Sequence, residues 1–171
     1  QGTVRDDVIV VMGPTSEPEA GFDPAYGWGA GEHVHEPLIQ STLTVTTTDL
    51  KIGYDLATSM EASDDGLTWT VTIRDDVSFT DGEKLTAGDV AFTYNTLRDT
   101  SSVNDFTMLK EAQAVNDTTV EFHMNRPYSI WPYTMAIVGI VPEHAYGAGY
   151  GEHPVGSGRY MLKQWDKGQQ V

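Results

Sequence analysis

The chain of 171 residues contains no cysteine. Disulfide bonds, thiolate metal ligands and a cysteine nucleophile are therefore excluded. Basic residues are also few, with 10 Lys and Arg against 25 Asp and Glu and a formal net charge of -15 at pH 7. Because nucleic acids are bound through clustered Lys and Arg, this balance excludes a nucleic-acid-binding surface. The acidic excess fits the solubility of an exposed protein, with adaptation to high salt and attraction of cationic ligands as alternatives.

Long hydrophobic runs are missing as well. No apolar stretch approaches the roughly 18 residues of a membrane-spanning helix, and no signal peptide pattern is found. The hydrophobic fraction of 39% and the aromatic fraction of 10% are nevertheless sufficient for a packed core. We therefore expect one or two compact units.

The most informative stretch runs from residue 64 to residue 97. Asp64-Asp65-Gly66 predicts a turn, and residues 67–73 then alternate between apolar and polar side chains, which predicts a strand with one buried face. A short strand at 77–80 is followed by a second turn at Asp81-Gly82. Thr86 and Asp89 resemble a capping box, so a helix is expected to begin near Ala87.

Other segments predict further strands and short helices. Residues 7–12 predict a buried strand, residues 42–51 a hairpin, and residues 113–124 two strands joined by an Asn-Asp turn. A short helix is expected before Pro37, an aromatic helical face over 128–136, and another short helix after Pro142. Residues 159–166 predict a strand with Tyr160, Leu162 and Trp165 directed inward.

Catalytic motifs are poorly represented. Ser157 lies between glycines, but the spacing is not that of a G-x-S-x-G turn and no helix is expected after it, so we do not interpret it as a nucleophile. The paired acids at 64–65 and 75–76 would point to opposite faces of a strand and are interpreted as turn residues. An enzyme with two carboxylates across a cleft is the alternative from another class, yet no feature selects such a pair.

The run DDGLTWTVTIRDDVSFTDGEKLTAGDVAFTYNTL resembles the signature of the family 5 extracellular solute-binding proteins, the peptide- and nickel-binding components of ABC importers. Further segments follow in the order of that family: FDP at 22–24, EPL at 36–38, TVEF at 119–122, IVP at 140–142 and PVGSGRY at 154–160. The resemblance covers nearly the whole chain. Arg159 departs from the family's usual proline, and His35 stands where an aromatic residue is common.

The resemblance implies an α/β (mixed α+β) fold, the first lobe of a periplasmic-binding-protein-like protein of class II or cluster C, with mixed sheets and flanking helices. Residues 1–40 and 150–171 would be parts of the first-lobe core subdomain, residues 41–149 an inserted mixed α/β subdomain, and the second lobe would be absent. The implied protein is not an enzyme and needs no cofactor. It would capture oligopeptides or dipeptides outside the cytoplasm, in the periplasm or at the outer face of the cell membrane.

The resemblance also implies the partners of the protein. ABC permease subunits in the membrane would receive the ligand, and membrane attachment would occur only through a lipid anchor that is absent from this chain. Residues 13–30 predict a Gly- and Pro-rich first loop, and large aromatic residues in such a loop usually pack against the fold or bind a ligand. In the family this loop lies at the cleft between the lobes. Our candidate ligand-binding residues are two acids that could meet a cationic group and three aromatic residues: Glu17, Glu19, Tyr26, Trp28 and Phe106.

A metal or metal chelate is the alternative ligand on the same scaffold. His33 and His35 lie close to Glu32 and Glu36, and imidazole with carboxylate suits zinc or nickel. On a strand the two histidines would share a face, whereas on the expected helix their side chains would diverge by about 200°. We therefore interpret them as surface or packed residues and predict no metal site, with the metal alternative left open.

Overall fold

A computed structural model describes residues 21–26, 37–101 and 104–169. Its strands and helices confirm the predicted mixed α/β class. The strands are β1 (Thr44–Thr46), β2 (Ile52–Tyr54), β3 (Ala57–Ala62), β4 (Thr68–Ile73), β5 (Leu109–Asn116) and β6 (Thr119–Met124). The helices are α1 (Ala87–Thr100), α2 (Trp131–Met135) and a 3-10 helix at Glu143–Ala145.

The strands form two antiparallel sheets. β1 and β2 make the hairpin that residues 42–51 predicted, although its second strand begins only after Lys51. The larger sheet has the order β3-β4-β6-β5, and the predicted pair of strands at 113–124 is confirmed as β5 and β6. Within the described residues all strand pairs are antiparallel. The mixed character of this part of the fold therefore comes from helices packed against antiparallel sheets.

The core lies on one face of the larger sheet. The predicted alternation is confirmed over residues 70–73, since Val71 and Ile73 are buried while Thr70 and Thr72 are only partly covered. Val71 stands opposite Val120 of β6, so neighbouring strands contribute to the same apolar face. Burial of this face against a helix is what stabilises a sheet of such short strands.

Helix α1 covers that face and also holds the chain that follows α2. It begins at Ala87 as predicted, where the Asp89 carboxylate accepts a hydrogen bond from the Thr86 N–H at 2.9 Å. The other Asp89 oxygen accepts from the Glu143 N–H at 3.0 Å, and the Thr93 hydroxyl accepts from the Val141 N–H at 3.1 Å. Two side chains one turn apart on α1 therefore position residues 141–143.

Three buried aromatic rings connect α1, β6 and α2. The ring centroids of Tyr94 and Phe122 are 4.8 Å apart, and both rings contact Trp131, at 5.5 and 5.3 Å respectively. These are tilted or edge-on contacts, which aromatic quadrupoles favour. The predicted apolar face of α2 is confirmed, because Trp131 and Met135 are both fully buried.

The structure corrects two of the predicted strands. Residues 77–80 form only a bridge between Ser78 and Lys84, because the Asp81-Gly82 turn reverses the chain at once. Residues 159–166 are also not a strand, and Tyr160 is 43% exposed instead of inward. The backbone N–H groups of Gly158 and Tyr160 donate to the carbonyls of Ile39 and Leu38. No further bonds to residues 38 and 39 follow Tyr160, so residues 161–166 form no continuous ladder with them.

Two further predictions lie outside the described residues: the strand at 7–12 and the short helix before Pro37. The short helix after Pro142 is confirmed as the 3-10 helix. In the parts of the chain that the structure describes, every helix is too short or too polar to cross a membrane.

Candidate functional site

The candidate site is an open pocket of about 480 Å³, which we call the first-loop pocket. It lies between the segment at 21–26 and the glycine-rich loop at 146–152. Its walls are formed by both segments and by two residues near residue 166: Gly21, Asp23, Tyr26, Tyr146, Gly147, Ala148, Gly149, Tyr150, Gly151, Glu152, Trp165 and Lys167.

Backbone contact between the two segments closes one end of the pocket. The Phe22 N–H donates to the Gly151 carbonyl at 2.8 Å. Gly21 has a φ of +68°, and a Cβ atom at this position would lie 2.3 Å from the Gly151 oxygen. A side chain is therefore excluded at residue 21 both by its conformation and by the approach of the opposite loop.

Asp23 is the buried acid of the pocket, with 6% of its surface exposed. Its carboxylate accepts hydrogen bonds from the Ala25 N–H at 2.9 Å and from the Tyr146 hydroxyl at 3.0 Å. A buried carboxylate needs such donors, because desolvation of its charge is otherwise costly. Since Tyr146 is 123 residues away in sequence, this bond fastens the first loop to the glycine-rich loop.

Tyr146 is held between other rings. Its ring lies 5.7 Å from that of Phe92 on α1 and 5.1 Å from that of Tyr150. Burial raises the pKa of the Tyr146 hydroxyl well above its usual value, and the nearby negative charge of Asp23 raises it further. The phenol therefore stays protonated and acts as a hydrogen-bond donor.

Tyr150 closes the floor of the pocket. Its hydroxyl donates to the Val155 carbonyl at 2.7 Å and accepts from Gln40 Nε2 at 3.2 Å. The same Gln40 nitrogen donates to the Phe22 carbonyl at 3.0 Å. Burial raises the pKa of Tyr150, partly offset by the Gln40 bond. Gln40 thus connects the first loop to the floor, which makes this wall a preorganised surface.

The remaining wall contains an ion pair between Lys167 and Glu152. Lys167 Nζ lies 2.5 Å from a Glu152 carboxylate oxygen and 5.1 Å from the centre of the Trp165 ring. The hydrogen bond from Lys167 lowers the pKa of Glu152. Trp165 also packs edge-on against Phe22, with ring centroids 5.4 Å apart. An ammonium group is therefore already accommodated beside a carboxylate and an indole ring.

The predicted ligand-binding residues have different outcomes. Tyr26 lines the first-loop pocket and is 50% exposed, so its ring is available to a ligand. Phe106 is only 3% exposed and packs edge-on against Tyr94, so the structure places it in the core and not on a pocket wall. The others lie outside the described residues: Glu17, Glu19, Trp28 and the alternative metal ligands His33 and His35.

Sequence reasoning missed most of the pocket. The sequence analysis includes Asp23 only in the FDP motif, and Tyr146 and Tyr150 are not among its candidate residues. A signal was nevertheless present. Aromatic residues placed among glycines in a long connection are unusual unless they pack or bind, the argument that had selected Tyr26 in the first loop.

Neither a metal centre nor a nucleophile is assembled in the described part of the chain. No group of three His, Asp or Glu side chains there could hold a metal ion. His144 instead pairs with Asp81 at 2.6 Å, which raises the pKa of the imidazole through that hydrogen bond. The buried Ser157 hydroxyl has no hydrogen-bond partner among the described residues, so nothing there activates it.

A family profile and several curated relatives match most of the chain. Residues 51–171 match the sequence profile described as bacterial extracellular solute-binding proteins, family 5 middle. Protein XP55 of Streptomyces lividans is 36% identical over 174 aligned residues, which cover 95% of this chain and 31% of that protein. The chain spans about a third of the length of the curated relatives it matches across most of its length.

Solved structures agree with this match. NikZ of Campylobacter jejuni, crystallised with Ni(L-His), has a TM-score of 0.78 and 28% identity, with 89% of this chain and 32% of that chain covered. The oligopeptide-binding protein AppA of Bacillus subtilis, crystallised with a nonapeptide, has a TM-score of 0.74 and 29% identity, with 90% and 33% covered.

Proposed function

The chain belongs to the bacterial extracellular solute-binding proteins of family 5, and from this premise we propose that it forms part of the ligand-capturing component of an ABC importer. The proposed ligands are oligopeptides or dipeptides, delivered to membrane permease subunits from the extracytoplasmic side. Relatives whose names state a function are binding proteins and not enzymes. Capture without chemical conversion is therefore the proposed activity.

The proposed mechanism is closure of two lobes around the ligand, with this chain supplying one wall. Backbone bonds from residues 158 and 160 to residues 39 and 38, together with the Phe22–Gly151 bond, support the proposed core subdomain built from 1–40 and 150–171. A single wall leaves most of a ligand in water. We therefore expect the isolated chain to bind ligand weakly or not at all.

The proposal is best supported by the hydrogen-bonded structure of the first loop. Asp23 is held by Ala25 and Tyr146, and only three residues further on Tyr26 presents half of its surface to solvent. An exposed ring on a preorganised, hydrogen-bonded wall is the kind of surface that contacts a ligand at low entropic cost. Glu152 in the same pocket pairs with the chain's own Lys167 at 2.5 Å, so a peptide's amino group would bind there by replacing Lys167.

Nickel or a metal chelate is the second candidate ligand. The fold agreement with the Ni(L-His)-bound NikZ supports it as well as the agreement with AppA supports a peptide. The pocket supplies phenol and carboxylate groups that could contact a chelator, and His33 or His35 would be the metal-facing residues.

Native mass spectrometry of the whole protein that contains this chain tests the proposal. The protein is purified from its own cells without refolding, so that bound solute is retained. A heterogeneous set of masses in the range of short peptides is expected. A single metal-sized or chelate-sized increment that disappears in His33→Ala or His35→Ala would instead favour the metal candidate.

The role of the first loop is tested in the same protein. Tyr26→Ala is expected to weaken peptide binding about 5- to 150-fold, because a buried aromatic contact contributes roughly 1–3 kcal/mol. Tyr133→Ala is the control, since Tyr133 is a similarly exposed tyrosine on α2. Equal affinities for the two variants, measured by titration calorimetry, would show that Tyr26 does not contact the ligand.

A further inference from the structure

The turn between β5 and β6 carries a sequence pattern that the ligand-binding role does not use. Asn116-Asp117-Thr118 has the form N-x-T with a residue other than proline in the middle, and no other asparagine of the chain has Ser or Thr two residues later. This pattern is the acceptor for N-linked glycosylation in proteins outside the cytoplasm.

The local geometry leaves the acceptor nitrogen free. Asn116 Oδ1 accepts hydrogen bonds from the Thr118 N–H at 2.9 Å and from the Thr118 hydroxyl at 3.2 Å. The Asn116 Nδ2 group makes no hydrogen bond within the described part of the chain, and the residue is exposed. The carboxamide is therefore oriented through its oxygen, while its nitrogen faces solvent beside a threonine hydroxyl.

Other asparagines differ in their surroundings as well as in sequence. Asn95 Nδ2 donates to the Ala112 carbonyl and Asn95 Oδ1 accepts from the Ala112 N–H, each at 2.8 Å. Asn125 donates to the Thr107 carbonyl at 3.0 Å. In both cases the side-chain nitrogen is already engaged in holding the fold, so Asn116 is the better acceptor on structural grounds too.

The position of the turn indicates what a glycan there would do. β5 is one of the two edge strands of the larger sheet within the described residues. Asn95 of α1 already bonds its backbone at Ala112, whereas its register shifts further along, between Ala114 and Asn116. Val115, which lies in that irregular step, is 54% exposed. Exposed strand edges with apolar side chains promote pairing between molecules, and bulky hydrated groups at the edge prevent it.

We propose that Asn116 is the attachment site of an N-linked glycan that shields the end of β5 beside the turn, where Val115 is exposed. The proposal rests on the extracytoplasmic location under the proposed function, but on no particular ligand. The donor is a lipid-linked oligosaccharide phosphate. A bond forms between Asn116 Nδ2 and the anomeric carbon while the bond from that carbon to the phosphate oxygen breaks. The oxygen keeps the bonding electrons, and Nδ2 loses one proton.

Mass spectrometry of the protein purified from its native host tests this. Cleavage after Glu111 and Glu121 releases residues 112–121 as one peptide. We expect this peptide to carry a series of sugar-unit masses, with fragmentation placing them on Asn116. An unmodified peptide 112–121 in the native protein would overturn the proposal.

Variants expressed in the same host separate N-linkage from other modifications. Thr118→Ala is expected to remove the sugar masses, Thr118→Ser to retain them, and Asn125→Gln, a matched change outside the pattern, to retain them. Sugar masses that persist in Thr118→Ala would overturn N-linkage at Asn116. The solute bound to the same native sample is measured separately and tests ligand capture. A protein with bound solute but no glycan would contradict only the glycan proposal, and a glycosylated protein without bound solute would contradict only the capture proposal.

Discussion

Asp89 offers the sharpest test of how the structure positions the pocket. One of its oxygens caps α1 through the Thr86 N–H, and the other accepts the Glu143 N–H, which begins the segment leading to the pocket. Loss of a helix cap costs about 1 kcal/mol, and loss of an acceptor from a part-buried N–H costs about 1–3 kcal/mol. Asp89→Ala is therefore expected to lower the free energy of unfolding by about 2–4 kcal/mol.

The measurement is urea unfolding followed by tryptophan fluorescence, to which the fully buried Trp131 contributes along with three other tryptophans. Asp89→Asn keeps a neutral acceptor for one of the two bonds and should fall between wild type and Asp89→Ala. Asp99→Ala is the control, because Asp99 lies on the same helix but pairs only with Arg98 at the surface. If Asp89→Ala and Asp99→Ala unfolded at the same urea concentration, the double anchoring role of Asp89 would be refuted.

The remaining predictions concern the pocket, an ion pair and a tight loop. Tyr146→Phe removes a hydrogen bond to a buried carboxylate and should cost about 1.5–3 kcal/mol of unfolding free energy. The His144–Asp81 pair raises the pKa of the imidazole and lowers that of the carboxyl. Its contribution should be full between the ordinary pKa values of aspartate, about 4, and histidine, about 6.5. It should be lost as pH rises through the raised His144 pKa, and lost in acid as pH falls through the lowered Asp81 pKa. A Cβ at Gly156 would lie 2.1 Å from a backbone oxygen, so Gly156→Ala should cost about 1–3 kcal/mol or more.

Matched variants control these three predictions. Tyr133→Phe should have a smaller effect than Tyr146→Phe, because its hydroxyl bonds an exposed carbonyl. In the wild type, the melting temperature should fall as the pH rises through the His144 pKa. This decline should disappear in His144→Gln and persist in His153→Gln. An unchanged decline in His144→Gln would contradict the ion-pair role. Gly147→Ala should be nearly neutral, since its Cβ would meet no atom within 4 Å.

Local patterns were predicted well because the interactions that produce them are local. The alternation over 67–73 requires only neighbours two residues apart, and the Thr86–Asp89 cap only residues three apart. The segment at 159–166 has the same strand-like composition, yet it is not a strand in the structure. A strand needs a partner along its length, and no property of the segment itself supplies one.

The candidate site was predicted only in part for the same reason. Tyr26 could be selected because an aromatic residue in a loop is locally conspicuous. Phe106 follows the long helix and was also a candidate, but it is 3% exposed and packs against Tyr94 in the core. Sequence position does not distinguish an aromatic side chain that packs from one that binds a ligand, since both can bury the same apolar surface.

By itself, the sequence determined the family, the mixed α/β class, the start of α1 and the absence of thiol chemistry, because these follow from composition and from short-range spacing. The tertiary structure alone decided that Asp23 meets Tyr146, that Gln40 joins the first loop to Tyr150, and that Lys167 lies between Glu152 and Trp165. Most of these contacts join residues far apart in the chain. They exist because burial of the core brings the loops together, and a buried carboxylate then requires whichever donors the fold places beside it.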